Sequence, residues 1–179
     1  MTFREWLDIR AYDINDGDTI DIFSQLFACL DNTGAAYLNA SDISITDDGE
    51  LVYSVSDSFD DTYRPVKPAG DASDAVFAAG IMLYHKVSGE LPDMDNAGLL
   101  LLGAQSDDSI SLCSYPASSA DALISDMTRI CVQKRPSFRQ ALDALASLNT
   151  SKARILFREE QTGIILCERE IPITDGYTE

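Results

Sequence analysis

Apolar and polar positions alternate in two different rhythms along this chain, and the change of rhythm marks the elements. Phe3, Trp6, Leu7 and Ile9 predict a short amphipathic helix over 3–9. Ile22, Phe23, Leu26, Phe27 and Leu30 recur at i, i+1, i+4, i+5 and i+8, one face of a longer helix that Asn32-Thr-Gly34 stops. Asp42–Ile45 and Leu51–Val55 then read as short extended runs joined by Thr46-Asp-Asp-Gly49. An Asp-Gly between alternating runs is a strong hairpin signal. Residues 56–72, with Ser, Asp, Gly and the prolines Pro65 and Pro68, read as a loop.

The second half begins with Ala75–Val87, apolar nearly all round (Val76, Phe77, Ile81, Met82, Leu83, Tyr84, Val87) and closed by Ser88-Gly89. Such a helix belongs at the centre of a core. Residues 118–132 predict another, capped by Ser118, with Asp121 in its first turn and Leu123, Met127, Ile130 and Cys131 inward. Ser137-x-x-Gln140 has capping-box spacing and opens a helix bearing Ala141, Leu142, Leu145 and Leu148. Beyond Asn149 the period returns to two: Ile155 and Phe157, then Gly163, Ile165 and Cys167, predict a hairpin over 153–173. The expected fold class is mainly α (α+β), with a helical domain over 1–149 and a β-hairpin over 150–179 that extends it or starts a following domain.

Charge sharpens this outline. The 179 residues carry 30 acids and 13 bases, a formal −17. Residues 1–75 hold 16 acids against four bases, a net of −12, whereas Arg129–Arg169 holds eight bases against four acids. A surface this negative repels phosphate, so neither nucleic acid nor an anionic membrane is an expected partner. A protein or basic peptide is, and the opposite signs of the two regions also permit self-association as a homo-oligomer. A solvated acidic face that keeps the chain soluble would account for the same charge.

Metal and cofactor chemistry find little support. The four cysteines (Cys29, Cys113, Cys131, Cys167) form no Cys-x-x-Cys pair, and His85 is the single histidine. Three of these cysteines lie in apolar runs and read as small buried hydrophobes. Asp13-Ile-Asn-Asp-Gly-Asp18 has the look of a calcium loop, but its acid and glycine are reversed and Ser24 stands at the terminal ligand. Asp16 or Asp18 instead suits the cap of the following helix. His85, beside Tyr84, reads as a packed or helix-terminal residue. The longest apolar run, within 97–104, is far too short to cross a membrane, and no leader pattern opens the chain, so a cytoplasmic location is expected.

The order of elements resembles the C-terminal lobe of a eukaryotic-type protein kinase over residues 3–148. Leu51 and Val52 after Asp47-Asp-Gly49 resemble the strands following a kinase catalytic loop. Val76-Phe-Ala-Ala-Gly-Ile-Met-Leu-Tyr84 with Ser88-Gly-Glu-Leu-Pro92 is similar to the buried central helix and its Thr-Gly-x-x-Pro exit. Cys131-Val-Gln-Lys-Arg-Pro-Ser137 resembles the Cys-x-x-x-x-Pro-x-x-Arg-Pro-Ser signature, shortened. The departures fall on the chemistry. Kinases need an Asp at the substrate hydroxyl, an Asn and a second Asp for magnesium, and a Gly-rich loop with a Lys. Here Ala35-Ala36-Tyr37 stands where His-Arg-Asp would, so Tyr37 replaces the catalytic acid, and Asp42 falls at the magnesium-binding Asn. No Asp-Phe-Gly occurs near Val55-Ser-Asp57: Asp57 reaches register only with a two-residue shift, which puts Ser58 at the Phe. The Asp of the central helix is Ala75, with Asp74 one step off, and no Gly-x-Gly-x-x-Gly occurs. About 18 residues precede the first long helix, too few for a nucleotide-holding N-lobe.

A C-lobe without its N-lobe, opening with Phe3-Arg-Glu-Trp-Leu-Asp-Ile-Arg10, resembles the KIND family (kinase non-catalytic C-lobe domain). The resemblance implies a catalytically dead pseudokinase-like scaffold, without cofactor or metal, forming the N-terminal part of a larger multidomain protein. The candidate contacts for a basic partner are Asp57, Asp60 and Asp61, on the loop replacing the activation segment, with Asp47 and Asp48 at the hairpin tip. The competing enzymatic reading is a degenerate metal or nucleotide binder using Asp42 and Asp57 as a carboxylate pair.

Overall fold

The computed structural model describes residues 1–11, 14, 18–65, 68–92, 120–148, 152–158 and 165–172. The chain divides into two compact units, Met1–Leu148 and Asn149–Glu179. Helices dominate the first: α1 (Phe3–Leu7), α2 (Thr19–Thr33), α3 (Ala72–Ser88), α4 (Asp121–Met127) and α5 (Phe138–Leu148), with one antiparallel pair, β1 (Ile43–Ile45) and β2 (Leu51–Tyr53). The second unit holds an antiparallel hairpin of β3 (Lys152–Arg158) and β4 (Ile165–Pro172), with Ala153 opposite Ile171 and Phe157 opposite Cys167. The chain is thus mainly α, of α+β type.

Local chemistry sets each boundary. Thr2 and Glu5 form a capping box at α1, a Thr-x-x-Glu signal readable in the sequence, and the helix ends at Leu7, leaving Ile9 exposed. At α2, Asp18 occupies the N-cap position, but its carboxylate accepts from Trp6 Nε1 (3.3 Å) instead of the helix amides. The predicted cap is therefore diverted to the indole, and Asp16 lies outside the described residues. Asp71 caps α3 through Ser73 N (2.9 Å), so the helix begins three residues before the predicted Ala75. Gly89, at φ 77°, ends it in the left-handed conformation that glycine adopts without strain. α4 is shorter than predicted: Thr128 Oγ1 turns back onto Ile124 O (2.7 Å), and Ile130, read as inward, is 58% exposed. Ser118 lies outside the described residues, as does the apolar stretch within 97–104. At α5 the box forms as its spacing predicts, Gln140 N to Ser137 Oγ (3.2 Å) and Ser137 N to Gln140 Oε1 (2.9 Å).

The core of the first unit is built around α3, buried from Asp74 to Ser88. An aromatic chain runs through it, Trp6 and Phe3 stacked at 5.4 Å, then Phe23, Phe27 and Phe138, each ring within 6.2 Å of the next. Gly80 lets α3 and α4 touch: a Cβ there would stand 2.8 Å from Met127 Cβ and 2.9 Å from Thr128 Cγ2. Among the described residues, no helix is long and apolar enough to cross a membrane.

Candidate interaction surface

Among the described residues of the first unit, two buried polar clusters serve its architecture. In one, Arg135 (4% exposed) lies beside Asp74 (0%), Nη1 to Oδ1 3.4 Å. Arg135 also donates to Ser73 O (3.0 Å) and Arg129 O (2.8 Å), and its guanidinium covers the Phe77 ring at 4.9 Å. Asp74 in turn accepts from Gly70 N (2.7 Å). The pair fastens the Arg-Pro-Ser segment to the start of the buried helix. Burial pulls the Arg135 guanidinium below its ordinary value, against the opposing pull of Asp74.

The other cluster holds the N-terminal segment. Lys86 donates to Trp6 O (2.7 Å) and Ile9 O (2.6 Å), and its ammonium stands 3.9 Å from the centre of the indole. A cation thereby binds one carbonyl in the last turn of α1 and one just beyond its end. His85 Nδ1 lies 3.0 Å from the Tyr63 hydroxyl and Nε2 3.5 Å from Asp8, which fits a neutral imidazole with its proton on Nε2. Burial lowers the His85 value despite the carboxylate of Asp8, and burial pushes Tyr63 up to about 12. Arg4 covers the Tyr63 ring at 5.2 Å. His85 is thus a packed residue near the helix end, whereas Lys86, Tyr63, Arg4 and Asp8 carried no motif. Their only trace in the sequence is a polar pair, His85-Lys86, closing an otherwise apolar helix.

The loop acids behave differently. Asp47 and Asp48 are exposed in the β1–β2 turn, and Asp57 and Asp61 are exposed on the following loop. None of the four side chains is held by a described residue. Asp60 is held: Oδ2 accepts from Arg4 Nη1 (3.2 Å) and Oδ1 from Thr62 N (2.9 Å). The five predicted contact residues therefore split into four open acids and one that anchors α1 to the loop. Asp42 lies in a 3₁₀ turn (Ala40–Asp42), half-buried. Among the described residues no group of three His, Cys, Asp or Glu side chains is placed to hold a metal ion.

Cys29 and Cys131 are free and half-buried, more open than their apolar surroundings predict, and Cys113 lies outside the described residues. A groove of about 650 Å³ separates α4 from α5, walled by Leu123, Ala144 and Leu148 with Arg129 and Arg135 at one end. Both of these arginines are already engaged, Arg129 by Asp126 and Arg135 by Asp74. No protein-family model matches this chain, and no curated protein matches it at a significant level.

Proposed function

We propose that residues 1–149 form a KIND-like, kinase C-lobe-like module that works without catalysis, as a scaffold whose acidic loops bind a basic peptide or domain of a partner protein. The observation that carries this reading is the set of four exposed loop acids, Asp47, Asp48, Asp57 and Asp61, that no described residue engages. The buried charges, by contrast, are consumed in holding elements together. Open carboxylates in a −12 region speed encounter with a cationic partner and reject anionic ones. The kinase-like part of the reading draws on the element order of helix, hairpin, loop and all-buried helix, and on Arg135 reaching from the Arg-Pro-Ser segment to the start of that helix. Tyr37 at the place of the catalytic acid supplies no carboxylate.

The test is titration of fluorescein-labelled deca-lysine with the full chain at 50 and 300 mM salt. Affinity is expected to fall with salt and, at low salt, to fall again in Asp47→Asn/Asp48→Asn and Asp57→Asn/Asp61→Asn variants. Salt-independent affinity, or unchanged affinity in both variants, would sink the proposal. A stabilising thermal shift with magnesium and ATP would instead favour the carboxylate pair of Asp42 and Asp57.

A further inference from the structure

Residues 35–42 and 54–61 lie side by side. Ser54 N donates to Asp42 O (2.9 Å), Asn39 N to Ser56 Oγ (3.2 Å), and the Tyr37 and Phe59 rings meet edge to face at 5.0 Å. One side of this ribbon belongs to the interior: Leu38, Ala40 and Ser56 are buried. The other is left to water although it is apolar. Tyr37 is 39% exposed and Val55 67%, and Val52, 52% exposed, continues the stretch into β2. These are three of the large hydrophobic residues that the described structure exposes, gathered in one pair of neighbouring segments, where isolated ones would need no explanation.

The rim of the ribbon decides what suits it. Asp57 and Asp61 are exposed and held by no described residue, and Asp60 is already neutralised by Arg4. An apolar strip edged by open carboxylates complements apolar side chains flanked by cations, and it disfavours acidic sequences. Both sides of the β1–β2 pair carry hydrogen bonds already, Leu51 N donating to Gln25 Oε1 (2.8 Å) on one and Met1 paired with Ile45 on the other, so strand addition there is not the mode of contact. Side-chain anchoring is.

We infer that the ribbon of residues 35–42 and 54–61 is a docking surface for an extended segment of a partner protein in which an aliphatic or aromatic residue is flanked by Lys or Arg, with Tyr37 and Val55 as its apolar contacts. This rests on the acidic-scaffold reading above and adds that charge alone is not what is recognised. Buried anchors of this kind each govern about fivefold or more in affinity, and rim charges act mainly on salt dependence.

The experiment compares two labelled probes on the full chain by fluorescence anisotropy: deca-lysine, and the hexapeptide Arg-Lys-Leu-Phe-Arg-Lys. The hexapeptide is expected to bind more tightly per charge and to retain binding at 300 mM salt, where deca-lysine is lost. Tyr37→Ser and Val55→Ser are each expected to weaken the hexapeptide about fivefold while leaving deca-lysine unchanged. Both residues are exposed, so far-UV circular dichroism of the variants should match the parent. If both probes bind with the same salt slope and ignore Tyr37→Ser and Val55→Ser, the inference fails while the acidic-scaffold reading stands. If neither probe binds at 50 mM salt, that reading fails, and the inference with it. Concentration-dependent dimerisation of the unliganded chain that Tyr37→Ser abolishes would assign the ribbon to a second copy and overturn the inference.

Discussion

Replacing Arg135 by Met is a sharp test of how the first unit is assembled. The substitution keeps an unbranched apolar side chain but removes the guanidinium that covers Phe77 and stands beside Asp74, which is fully buried. The Asp74 carboxylate keeps the Gly70 amide at 2.7 Å, while Ser73 O and Arg129 O lose the bonds they accept from the guanidinium. Removing one partner of a buried ion pair costs about 3–5 kcal/mol, because the remaining charge is left uncompensated. Against a total stability of about 5–15 kcal/mol for a domain, that is a large fraction. At about 2–4 °C per kcal/mol for a unit of this size, Tm should fall by about 6–20 °C. Urea denaturation followed by far-UV circular dichroism reads the change directly, with an unchanged slope required for the comparison. The double variant Asp74→Leu/Arg135→Met removes both charges and should recover most of the loss. A loss below about 1 kcal/mol for Arg135→Met, or a double variant no more stable than the single one, would refute the uncompensated-charge argument.

Three further outcomes are expected. Gly80→Ala forces a methyl into the α3–α4 contact and should lower stability by about 1–3 kcal/mol, whereas the helix-propensity gain of alanine at an open site would raise it. His85 is held neutral, its folded value below the ordinary 6.5, so the unfolded chain binds the proton first and stability falls as pH drops below about 6.5. Melting curves from pH 7.5 to 5.0 should show that slope, and an equal slope in His85→Gln would discount it. The window is distinct from that of Asp71, whose hydrogen bonds to Ser73 lower its value and place its loss in the acid range. Lys86→Met strips the side-chain donor from Trp6 O, which keeps the Ile9 amide, and from Ile9 O, at about 1–3 kcal/mol for the orphaned Ile9 carbonyl, and should speed tryptic cleavage at Arg10 several-fold. An unchanged cleavage rate would mean that the Lys86 ammonium does not hold the segment, leaving that to its other contacts, such as the Ala11 N–Lys86 O bond (2.8 Å).

Periodicity locates each of the five described α-helices of the first unit because burial, which drives it, also writes the pattern: α3 is apolar nearly all round and is buried from Asp74 to Ser88. Boundaries were legible where a cap is a local exchange, as at Ser137 and Gln140, and illegible where a distant group intervenes. Asp18 had the right residue and position for a cap, but the indole of Trp6 draws its carboxylate away. The same limit governs the loop acids. Asp57, Asp60 and Asp61 share one loop, and the approach of Arg4 from 56 residues away, with the local bond from Thr62 N, separates Asp60 from the others. Exposure of Tyr37 and Val55 was equally hidden, since an apolar residue in a short extended run gives no sign of which side meets water.

Trp6 is the chain's sole tryptophan, and it touches Phe3, Phe23, Lys86 and Asp18 at once. Its indole therefore contacts α1, α2 and α3, and its emission is a built-in optical reporter of their junction. Release of the N-terminal segment would register as a red-shifted spectrum while the helix content of the remaining unit stayed constant. Local opening and global unfolding of this protein are thus separable by eye of light alone, without a label.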